Sequence, residues 1–211
     1  MNNFLQQGLT KYLETTELSK IKNTKILIAG AGGVGSNAAM LLVRCGFEKI
    51  TIIDYDELEP SNLNRQFFFN EQVGTLKVCG LKENLLKINH QATITIIKER
   101  LTVDNVNNLI KNQDIILEAF DDIIAKKIIV EACHLLAKHI IAVSGIAGIG
   151  NSDKIVIRKI NNRFYMVGDF ESDINLALPP LPPLAPKVMI AAAKQVDIVL
   201  ELVIGNKEIA T

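Results

Sequence analysis

The sequence predicts an α/β fold with a doubly wound, mostly parallel β-sheet. Short β-branched apolar runs alternate along the chain with longer helical patterns, which is the order found in βαβ units. The first apolar run ends directly in a glycine-rich turn, as the first strand of many such sheets does. The chain has 211 residues, of which 48% are hydrophobic, so it can cover both faces of a parallel sheet.

The region between residues 25 and 150 contains the predicted parallel strands and their connecting helices. Strand patterns, rich in isoleucine, lie at 25–29, 49–53, 92–98, 114–119 and 139–143. Helical patterns lie at about 34–45, 76–89, 103–112 and 123–138. Gly46 follows the first helical pattern, where glycine commonly ends a helix. Because a helix separates successive strands, the strands are expected to lie parallel.

The pattern changes in the last third of the chain. Two strand-like runs at 154–160 and 163–167 flank an Asn-Asn pair, which predicts a β-hairpin. Five of the six prolines fall within 179–186. Because proline favours extended backbone over helix or sheet, residues 168–187 are predicted to form an extended, proline-rich crossover segment.

A final helix is predicted at 188–204, where apolar residues recur at helical spacing. The residues that follow the proline-rich segment are too few for a second domain. We therefore expect a single domain with a helical segment at 1–24, a core at 25–150 and a hairpin, crossover segment and helix at 151–211.

The charge balance excludes several classes of partner. The chain has 23 Lys and Arg against 23 Asp and Glu, so it lacks the basic excess typical of proteins that bind nucleic acid or anionic membranes. No apolar run approaches the roughly 18 residues of a membrane span, and the first 25 residues lack a signal-peptide core. We expect a soluble, cytoplasmic protein with neither nucleic acid nor membrane as a partner.

The cysteine content argues against a zinc site and against a disulfide framework. Cys45, Cys79 and Cys133 are odd in number, lie far apart and form no C-x-x-C pair. Buried, unreactive thiols are the expected state, while a redox or carrier role for one of them is the alternative.

The glycine-rich turn predicts a nucleotide site of Rossmann-like type. Gly30, Gly32, Gly33 and Gly35 fit G-x-G-x-x-G between a predicted strand and a predicted helix. Glycine permits the tight turn, the approach of backbone N–H groups to a phosphate and the close packing of helix on strand. Asp54 ends the next strand, where its carboxylate can accept hydrogen bonds from ribose hydroxyls. A glycine turn that serves packing alone is the alternative.

A run of polar side chains after Asp54 predicts that the nucleotide is a triphosphate. Beyond the carboxyl end of the second strand come several phosphate donors, with a lysine further on: Asn62, Asn64, Arg65, Gln66 and Lys77. Guanidinium, ammonium and amide groups all donate to phosphate oxygens. A dinucleotide whose phosphates sit on the glycine turn has little use for this set, whereas ATP does. A solvated loop with an ordinary surface lysine is the alternative reading.

Two adjacent carboxylates, Asp121 and Asp122, follow the predicted strand at 114–119 and precede a predicted helix. Mg²⁺ typically uses one or two protein carboxylates together with substrate phosphates, so a carboxylate here can hold it. Capping of the helix N-terminus is the other use of an aspartate at this position. One of the two aspartates can bind the metal while the other caps the helix.

These residues together resemble the family that adenylates ubiquitin-like sulfur carriers, which includes ThiF-like and MoeB-like proteins and the adenylation domains of ubiquitin-activating enzymes. The resemblance covers about residues 30–150, and the Asn-x-Asn-Arg-Gln run is its most specific motif. The segment 144–148 and the short C-terminal region look most like the compact ThiF-type proteins of thiamine synthesis. Asp56 also belongs to the matching set.

The resemblance implies an adenylyltransferase that uses ATP and Mg²⁺. The C-terminal Gly-Gly carboxylate of a ThiS-like carrier would attack the α-phosphorus of ATP, in the synthesis of the thiamine thiazole, and pyrophosphate would leave. Asp54 would hold the ribose, with Asp56 beside it. Arg65 and Lys77 would act catalytically by neutralising phosphate charge, together with the amides of the loop, and Asp121 would place the metal. The resemblance also implies a homodimer.

The chain departs from the family pattern in three respects. It lacks the paired C-x-x-C motifs that bind zinc in many relatives, so no zinc is expected. Residues 168–187 contain no cysteine, so a separate sulfur-donor protein is expected after the adenylate. Residues 1–24 contain lysines but no arginine, so the arginine that many relatives supply to the partner subunit has no counterpart there.

Four alternatives remain open from the sequence. A molybdopterin-type carrier could replace the thiamine-type carrier. An NAD(P)-dependent oxidoreductase would explain the glycine turn and Asp54 but would leave Arg65, Lys77 and Asp121 without roles. An inactive half of a heterodimeric activating enzyme should have lost Arg65 or Asp121. Modification of a tRNA base lacks support from the charge balance.

Overall fold

The computed structural model describes residues 3–172 and 183–206. Within those residues, seven strands form one sheet with the order β3-β2-β1-β4-β5-β7-β6. The strands are β1 (Lys25–Ala29), β2 (Lys49–Ile53), β3 (Thr93–Ile97), β4 (Ile115–Glu118), β5 (His139–Val143), β6 (Val156–Lys159) and β7 (Phe164–Gly168). All neighbouring pairs are parallel except β6 and β7, which form the hairpin at one edge.

Helices cover both faces of the sheet. They are α1 (Phe4–Leu9), α2 (Thr15–Asn23), α3 (Gly33–Arg44), α4 (Lys77–Ile88), α5 (Val106–Ile110), α6 (Ile123–Leu135) and α7 (Ala185–Ile204). One layer contains α2, α7, α3 and α4, and in this order each helix contacts the next. The other layer contains α5 and α6. The sheet therefore lies between two helical layers, as a doubly wound fold requires.

The alternation of side chains along β1 shows why this strand is apolar throughout. Ile26 and Ile28 point into the core beneath α3 and α7, whereas Leu27 and Ala29 point into the core beneath α5 and α6. All four are fully buried. A strand covered on both faces has no solvent side, so it shows a continuous apolar run instead of an alternating one.

The structure confirms the predicted α/β fold with a doubly wound, mostly parallel sheet. The hairpin after residue 150 is also confirmed, although β6 is shorter than predicted and β7 is shifted by one residue. The helix predicted at 103–112 covers only Val106–Ile110. The helix predicted to reach residue 138 ends at Leu135, because Ala137 adopts a left-handed conformation with φ 51°.

The prediction of extended backbone through residue 187 was wrong at its end. Helix α7 begins at Ala185, and Pro186 lies in its first turn. Proline is favoured there because the first helical N–H groups have no intrahelical partner and its fixed φ suits a helix. Of the predicted crossover segment, residues 173–182 lie outside the described part of the chain.

The three cysteines are free and differ in burial. Cys133 is fully buried between α6 and the sheet, and burial raises the pKa of its thiol to about 12. Burial also raises the pKa of Cys45, which is partly exposed. The high thiol pKa keeps Cys133 protonated and therefore a poor nucleophile.

In the part of the chain that the structure describes, no helix combines the length and apolarity needed to cross a membrane.

Candidate functional site

A cavity of about 230 Å³ opens at the carboxyl ends of the central strands. In doubly wound sheets, ligands bind at this edge where the strand order reverses, here between β1 and β4. The cavity brings together most of the residues predicted from the sequence: Gly30, Gly32, Gly33, Asp54, Asp56, Asn62, Arg65, Gln66, Lys77 and Asp121. Gly35 and Asn64 do not line it.

The glycines of the turn serve two distinct purposes. Gly30 has φ +104°, and a Cβ there would lie 2.7 Å from the carbonyl oxygen of Ala119. A Cβ on Gly35 would overlap the carbonyl oxygen of Gly30, so this glycine lets α3 pack on β1. By contrast, a Cβ on Gly32 would meet nothing closer than Gln66 Nε2 at 4.0 Å. Gly32 therefore leaves open space at the start of α3, where N–H groups favour an anion.

Asp54 links this turn to the end of β2. Its Oδ2 accepts a hydrogen bond from the N–H of Ala31 at 2.7 Å, and its Oδ1 accepts one from the N–H of Asp56 at 2.8 Å. Burial raises the pKa of Asp54, while these two bonds and the charge of Lys77 act in the opposite direction. Each carboxylate oxygen retains a further lone pair, so Asp54 can still accept hydroxyl groups of a ligand.

Lys77 and Asp56 form an ion pair at the side of the cavity. The Nζ of Lys77 lies 2.8 Å from Oδ2 of Asp56, and the backbone N–H of Lys77 donates to the carbonyl of Asp56 at 2.9 Å. Lys77 is the first residue of α4 and is buried. A cation at a helix N-terminus is unfavourable because of the helix dipole, so the carboxylate of Asp56 offsets that cost and fixes the ammonium group in the cavity.

The loop between β2 and α4 supplies the guanidinium group. Nη1 of Arg65 donates to the carbonyl of Ser61 at 2.9 Å and to Oδ1 of Asn64 at 2.8 Å. Asn64 thus holds the arginine side chain instead of facing the cavity. Asn62 is buried, lines the cavity and accepts the N–H of Glu59 at 3.1 Å, which closes a short 3₁₀ turn. The Asn-x-Asn-Arg-Gln run is therefore partly a scaffold for its own arginine.

Gln66 carries an unpaired polar atom into the cavity. Its side chain is 8% exposed, and its Oε1 has no hydrogen-bond partner among the described residues. Leaving a buried amide oxygen unpaired costs about 1–3 kcal/mol, so such an atom calls for an explanation. The Nε2 of the same amide lies 4.0 Å from the Cβ position of Gly32, next to the open glycine turn. A phosphate in the turn could accept a hydrogen bond from this Nε2, whereas Oε1 needs a donor such as a hydroxyl group.

Two polar residues of α3 that the sequence analysis did not select hold the arginine loop. Nδ2 of Asn37 donates to the carbonyl of Gly33 at 2.7 Å and to the carbonyl of Arg65 at 2.8 Å. Oγ of Ser36 accepts the N–H of Phe67 at 3.0 Å. Both side chains are buried. The glycine turn and the arginine loop are therefore fixed relative to each other. The sequence contained a signal for this role, because Ser36 and Asn37 are polar residues that directly follow Gly35 in an otherwise apolar helix.

The two adjacent aspartates have separate roles. Oδ1 of Asp122 accepts the N–H of Ile124 at 2.8 Å and caps α6, and its Oδ2 lies 2.8 Å from Nη2 of Arg100. The hydrogen bond from Arg100 lowers the pKa of Asp122, and so does the N–H of Ile124. Asp121 is exposed at the cavity, and no hydrogen bond or ion pair engages its carboxylate among the described residues. It is free to bind a cation.

The remaining walls were not predicted from the sequence. Four apolar residues line the cavity, Val143, Ile146, Pro183 and Val188, and Val188 lies beside Gly33 of the glycine turn. Further lining residues come from the connections after β2, β3 and β4 and from α6: Tyr55, Arg100, Leu101, Phe120 and Ala125. Because these residues come from separate parts of the chain, only the fold brings them together at the site.

Comparison with known proteins places this site in a family. The profile of the ThiF family matches residues 6–209. Adenylyltransferase and sulfurtransferase MOCS3 of Aedes aegypti is 35% identical over 128 residues, which are 60% of this chain and 29% of that protein. Adenylyltransferase and sulfurtransferase UBA4 of Candida albicans is 36% identical over 132 residues, 62% of this chain and 30% of that protein. The chain thus matches less than a third of the length of these two relatives.

Solved structures show the same fold. The E. coli tRNA N6-threonylcarbamoyladenosine dehydratase TcdA has a TM-score of 0.84 at 21% identity. The matched region covers 93% of this chain and 92% of the TcdA chain. Its complex with ATP has a TM-score of 0.83 at 22% identity. E. coli MccB, crystallised with AMPCPP and MccA, has a TM-score of 0.71 at 23% identity. The matched region covers 89% of this chain and 58% of the MccB chain.

Proposed function

We propose that this chain, which belongs to the ThiF family, is an adenylyltransferase. It would transfer AMP from ATP to a substrate carboxylate. The observation that carries the proposal is the cavity itself. It combines an open glycine turn with two cations, Arg65 and Lys77, and a buried carboxylate, Asp54. We further propose that residues 1–211 act as a single adenylation domain.

The arrangement of these groups supports one orientation of ATP. The ribose hydroxyls would donate to Asp54, whose carboxylate is already held by two backbone N–H groups. The phosphates would lie on the open turn at Gly32, where the Nε2 of Gln66 could donate to them, and the unpaired Oε1 of Gln66 could accept from a ribose hydroxyl. Arg65 and Lys77 would neutralise the charge of the β- and γ-phosphates. NAD, whose two phosphates would both lie on the glycine turn, would leave these two cations without a phosphate partner.

The carboxylate of Asp121 fits a magnesium ion. It is exposed, lines the cavity and has no protein partner among the described residues. In the same part of the chain, no cluster of three or more His, Cys, Asp or Glu side chains forms a metal cage. Mg²⁺ bound to nucleotides keeps few protein ligands and takes the rest from phosphates and water, which suits this single carboxylate. When bound, the ion would neutralise phosphate charge and orient the phosphates.

The chemistry needs no general base. A carboxylate is already ionised at neutral pH, so one of its oxygens can attack the α-phosphorus directly. The bond from the α-phosphorus to its bridging oxygen breaks, and the two electrons leave with pyrophosphate. The acyl-adenylate then contains the AMP. The protein contributes positioning and charge stabilisation, which Asn37, Arg65 and Lys77 are placed to provide.

For the acyl substrate, we propose the C-terminal Gly-Gly carboxylate of a ubiquitin-like sulfur carrier of the ThiS type, in thiamine thiazole synthesis. Ile146, Pro183 and Val188 are apolar and line the cavity, and Val188 lies beside Gly33 of the glycine turn. A glycine tail is narrow enough to pass along such a wall toward the α-phosphate. The relatives named adenylyltransferase and sulfurtransferase support an acyl substrate linked to sulfur transfer.

A separate protein would supply the sulfur. All three cysteines of the chain lie within the described residues, and none lines the cavity. The chemistry of this chain would therefore stop at the adenylate. A cytoplasmic homodimer completes the proposal.

Two other acyl substrates compete with the ThiS-type carrier. A molybdopterin-type carrier has the same Gly-Gly chemistry. The N6-threonylcarbamoyl group of a modified tRNA also presents a carboxylate, and TcdA, named for that nucleoside, matches this chain over nearly its full length. The balanced charge of 23 basic and 23 acidic residues favours a protein substrate over tRNA.

The test is ATP–pyrophosphate exchange with the full chain and Mg²⁺. A ThiS-type carrier, a molybdopterin-type carrier and a tRNA bearing N6-threonylcarbamoyladenosine are each added in turn. Exchange is expected with the ThiS-type carrier, and the same carrier without its last glycine is the control. Exchange with another substrate alone would correct the substrate, and tight NADH binding without ATP binding would overturn the proposed activity.

A further inference from the structure

We propose that Arg100 and Asp122 form a donor–acceptor pair that selects adenine over guanine in the nucleotide cavity. This inference rests on the proposed binding of ATP and goes beyond it, because the phosphate and ribose contacts described above are common to ATP and GTP. Without a further contact, the site would accept either nucleotide.

The position of the base follows from the two ends of the cavity. At one end, Arg65 lies beside the glycine turn, with its Cγ 3.5 Å from the Cβ position of Gly33, and Asp54 accepts the N–H of Ala31 in that turn. Lys77 pairs with Asp56, two residues beyond Asp54. With phosphates on the turn and ribose on Asp54, the base must extend toward the loops after β2 and β3 and the start of α6. That end is lined by Tyr55, Arg100, Leu101, Asp122 and Ala125.

The two charged groups are held in a defined arrangement there. Nη2 of Arg100 lies 2.8 Å from Oδ2 of Asp122, and the guanidinium carbon lies 5.6 Å from the centroid of the Tyr55 ring. The aspartate is fixed from the other side by the N–H of Ile124. The remaining N–H groups of Arg100 have no partner among the described residues, and both oxygens of Asp122 keep a lone pair.

The hydrogen-bonding edges of the two purines are opposite. Adenine donates from its N6 amine and accepts at N1, whereas guanine accepts at O6 and donates from N1–H. An aspartate oxygen beside an arginine N–H therefore matches adenine in both positions. Guanine would place its O6 against the carboxylate and its N1–H against the guanidinium. A site built to hydrogen-bond one pattern discriminates strongly against a ligand that lacks it.

The alternative role for this pair is purely structural. The Arg100 side chain is 62% exposed, and exposed ion pairs contribute little to stability. Asn in place of Asp122 retains an oxygen that can cap α6, so the fold should tolerate the change. Arg158 is a matched control because its guanidinium also stacks on an aromatic ring, 3.9 Å from the centroid of Phe170, yet it does not line the cavity.

The experiment measures the Kd values of ATP, GTP and ITP by calorimetry with the full chain and Mg²⁺. Wild type is expected to prefer ATP to both others. Arg100→Ala and Asp122→Asn should each lower the ATP-to-GTP affinity ratio about tenfold, mainly by weakening ATP binding. Arg158→Ala should leave the ratio unchanged.

ITP separates two causes of selectivity, because it has the six-position oxygen of guanine without the 2-amino group. Rejection of ITP together with GTP supports the proposal. The inference is overturned if ITP binds as well as ATP, or if both variants keep the wild-type ratio while still binding ATP. If wild type binds none of the three nucleotides, the proposed function itself fails, and this inference fails with it.

Discussion

The two ends of the cavity are built differently. At the phosphate end, Asp54, Gln66 and Lys77 are buried and, apart from one amide oxygen of Gln66, are held by contacts within the protein. At the other end, Tyr55 and Arg100 are exposed and are held by one ring contact and one ion pair. In the proposed nucleotide complex, the phosphate end would therefore be preorganised for charge stabilisation, whereas the base end would contribute selectivity. Substitutions at the phosphate end should therefore affect rate and affinity most.

The largest expected effect comes from the guanidinium at the phosphate end. Arg65→Ala should lower the rate of ATP–pyrophosphate exchange by on the order of 10²–10³, because it removes a charge that stabilises the leaving phosphates. The melting temperature should barely change, since Arg65 makes its hydrogen bonds at the surface of its own loop. Arg158→Ala on the hairpin is the control, and an equal loss of rate there would contradict the assignment.

A pair of substitutions in the glycine turn separates packing from ligand binding. Gly35→Ala should lower the free energy of unfolding by about 1–3 kcal/mol, because its Cβ would overlap the carbonyl of Gly30. Gly32→Ala meets no protein atom closer than 4.0 Å, so thermal denaturation should be close to that of wild type. Its Cβ would instead occupy the space for phosphate and weaken ATP binding about tenfold or more. Reversed phenotypes would refute the division of roles.

The two aspartates offer a similar contrast. Asp121→Asn should raise the Mg²⁺ concentration needed for half-maximal exchange by about tenfold, since a neutral amide is a poorer ligand than a carboxylate. At saturating ATP, Asp122→Asn should leave that concentration unchanged, because Asp122 is already engaged by Arg100 and Ile124. A magnesium titration of both variants checks this. If only Asp122→Asn changed the titration, the metal assignment would be wrong.

The smallest effect is expected at Asn37, which connects the glycine turn with the arginine loop. Asn37→Ala leaves the carbonyls of Gly33 and Arg65 without this donor and should lower the free energy of unfolding by about 1–3 kcal/mol. Because Arg65 would then be less well placed, kcat for exchange should fall several-fold while the Kd of ATP changes less. Unchanged kcat in a destabilised variant would show that Asn37 is only structural.

The same comparison explains what the sequence could predict. The fold followed from runs such as β1, whose four buried residues leave no solvent face, and the phosphate end followed from spacing motifs that act over short stretches. The base end could not be found in this way. Tyr55, Arg100 and Asp122 come from three separate connections, and only the parallel sheet brings those connections together.

One local error has a physical reason. Pro186 was predicted to extend the crossover segment, but proline also suits the first turn of a helix, and α7 begins just before it. The donation of Asn64 to phosphate stays a prediction: its side-chain oxygen accepts a hydrogen bond from Arg65, and its Nδ2 is the atom that would donate. An amide can act through either its oxygen or its nitrogen, and residue type alone does not distinguish the two.

The central claim is that this chain transfers AMP to a carboxylate. It is tested most directly by intact-mass analysis of a ThiS-type carrier after incubation with the full chain, ATP and Mg²⁺. The account predicts that the carrier gains the mass of one adenylyl group, that pyrophosphate appears in equal amount, and that a carrier without its terminal glycine stays unmodified. Release of ADP and phosphate from ATP, with no adenylyl group on any carboxylate substrate supplied, would contradict the account.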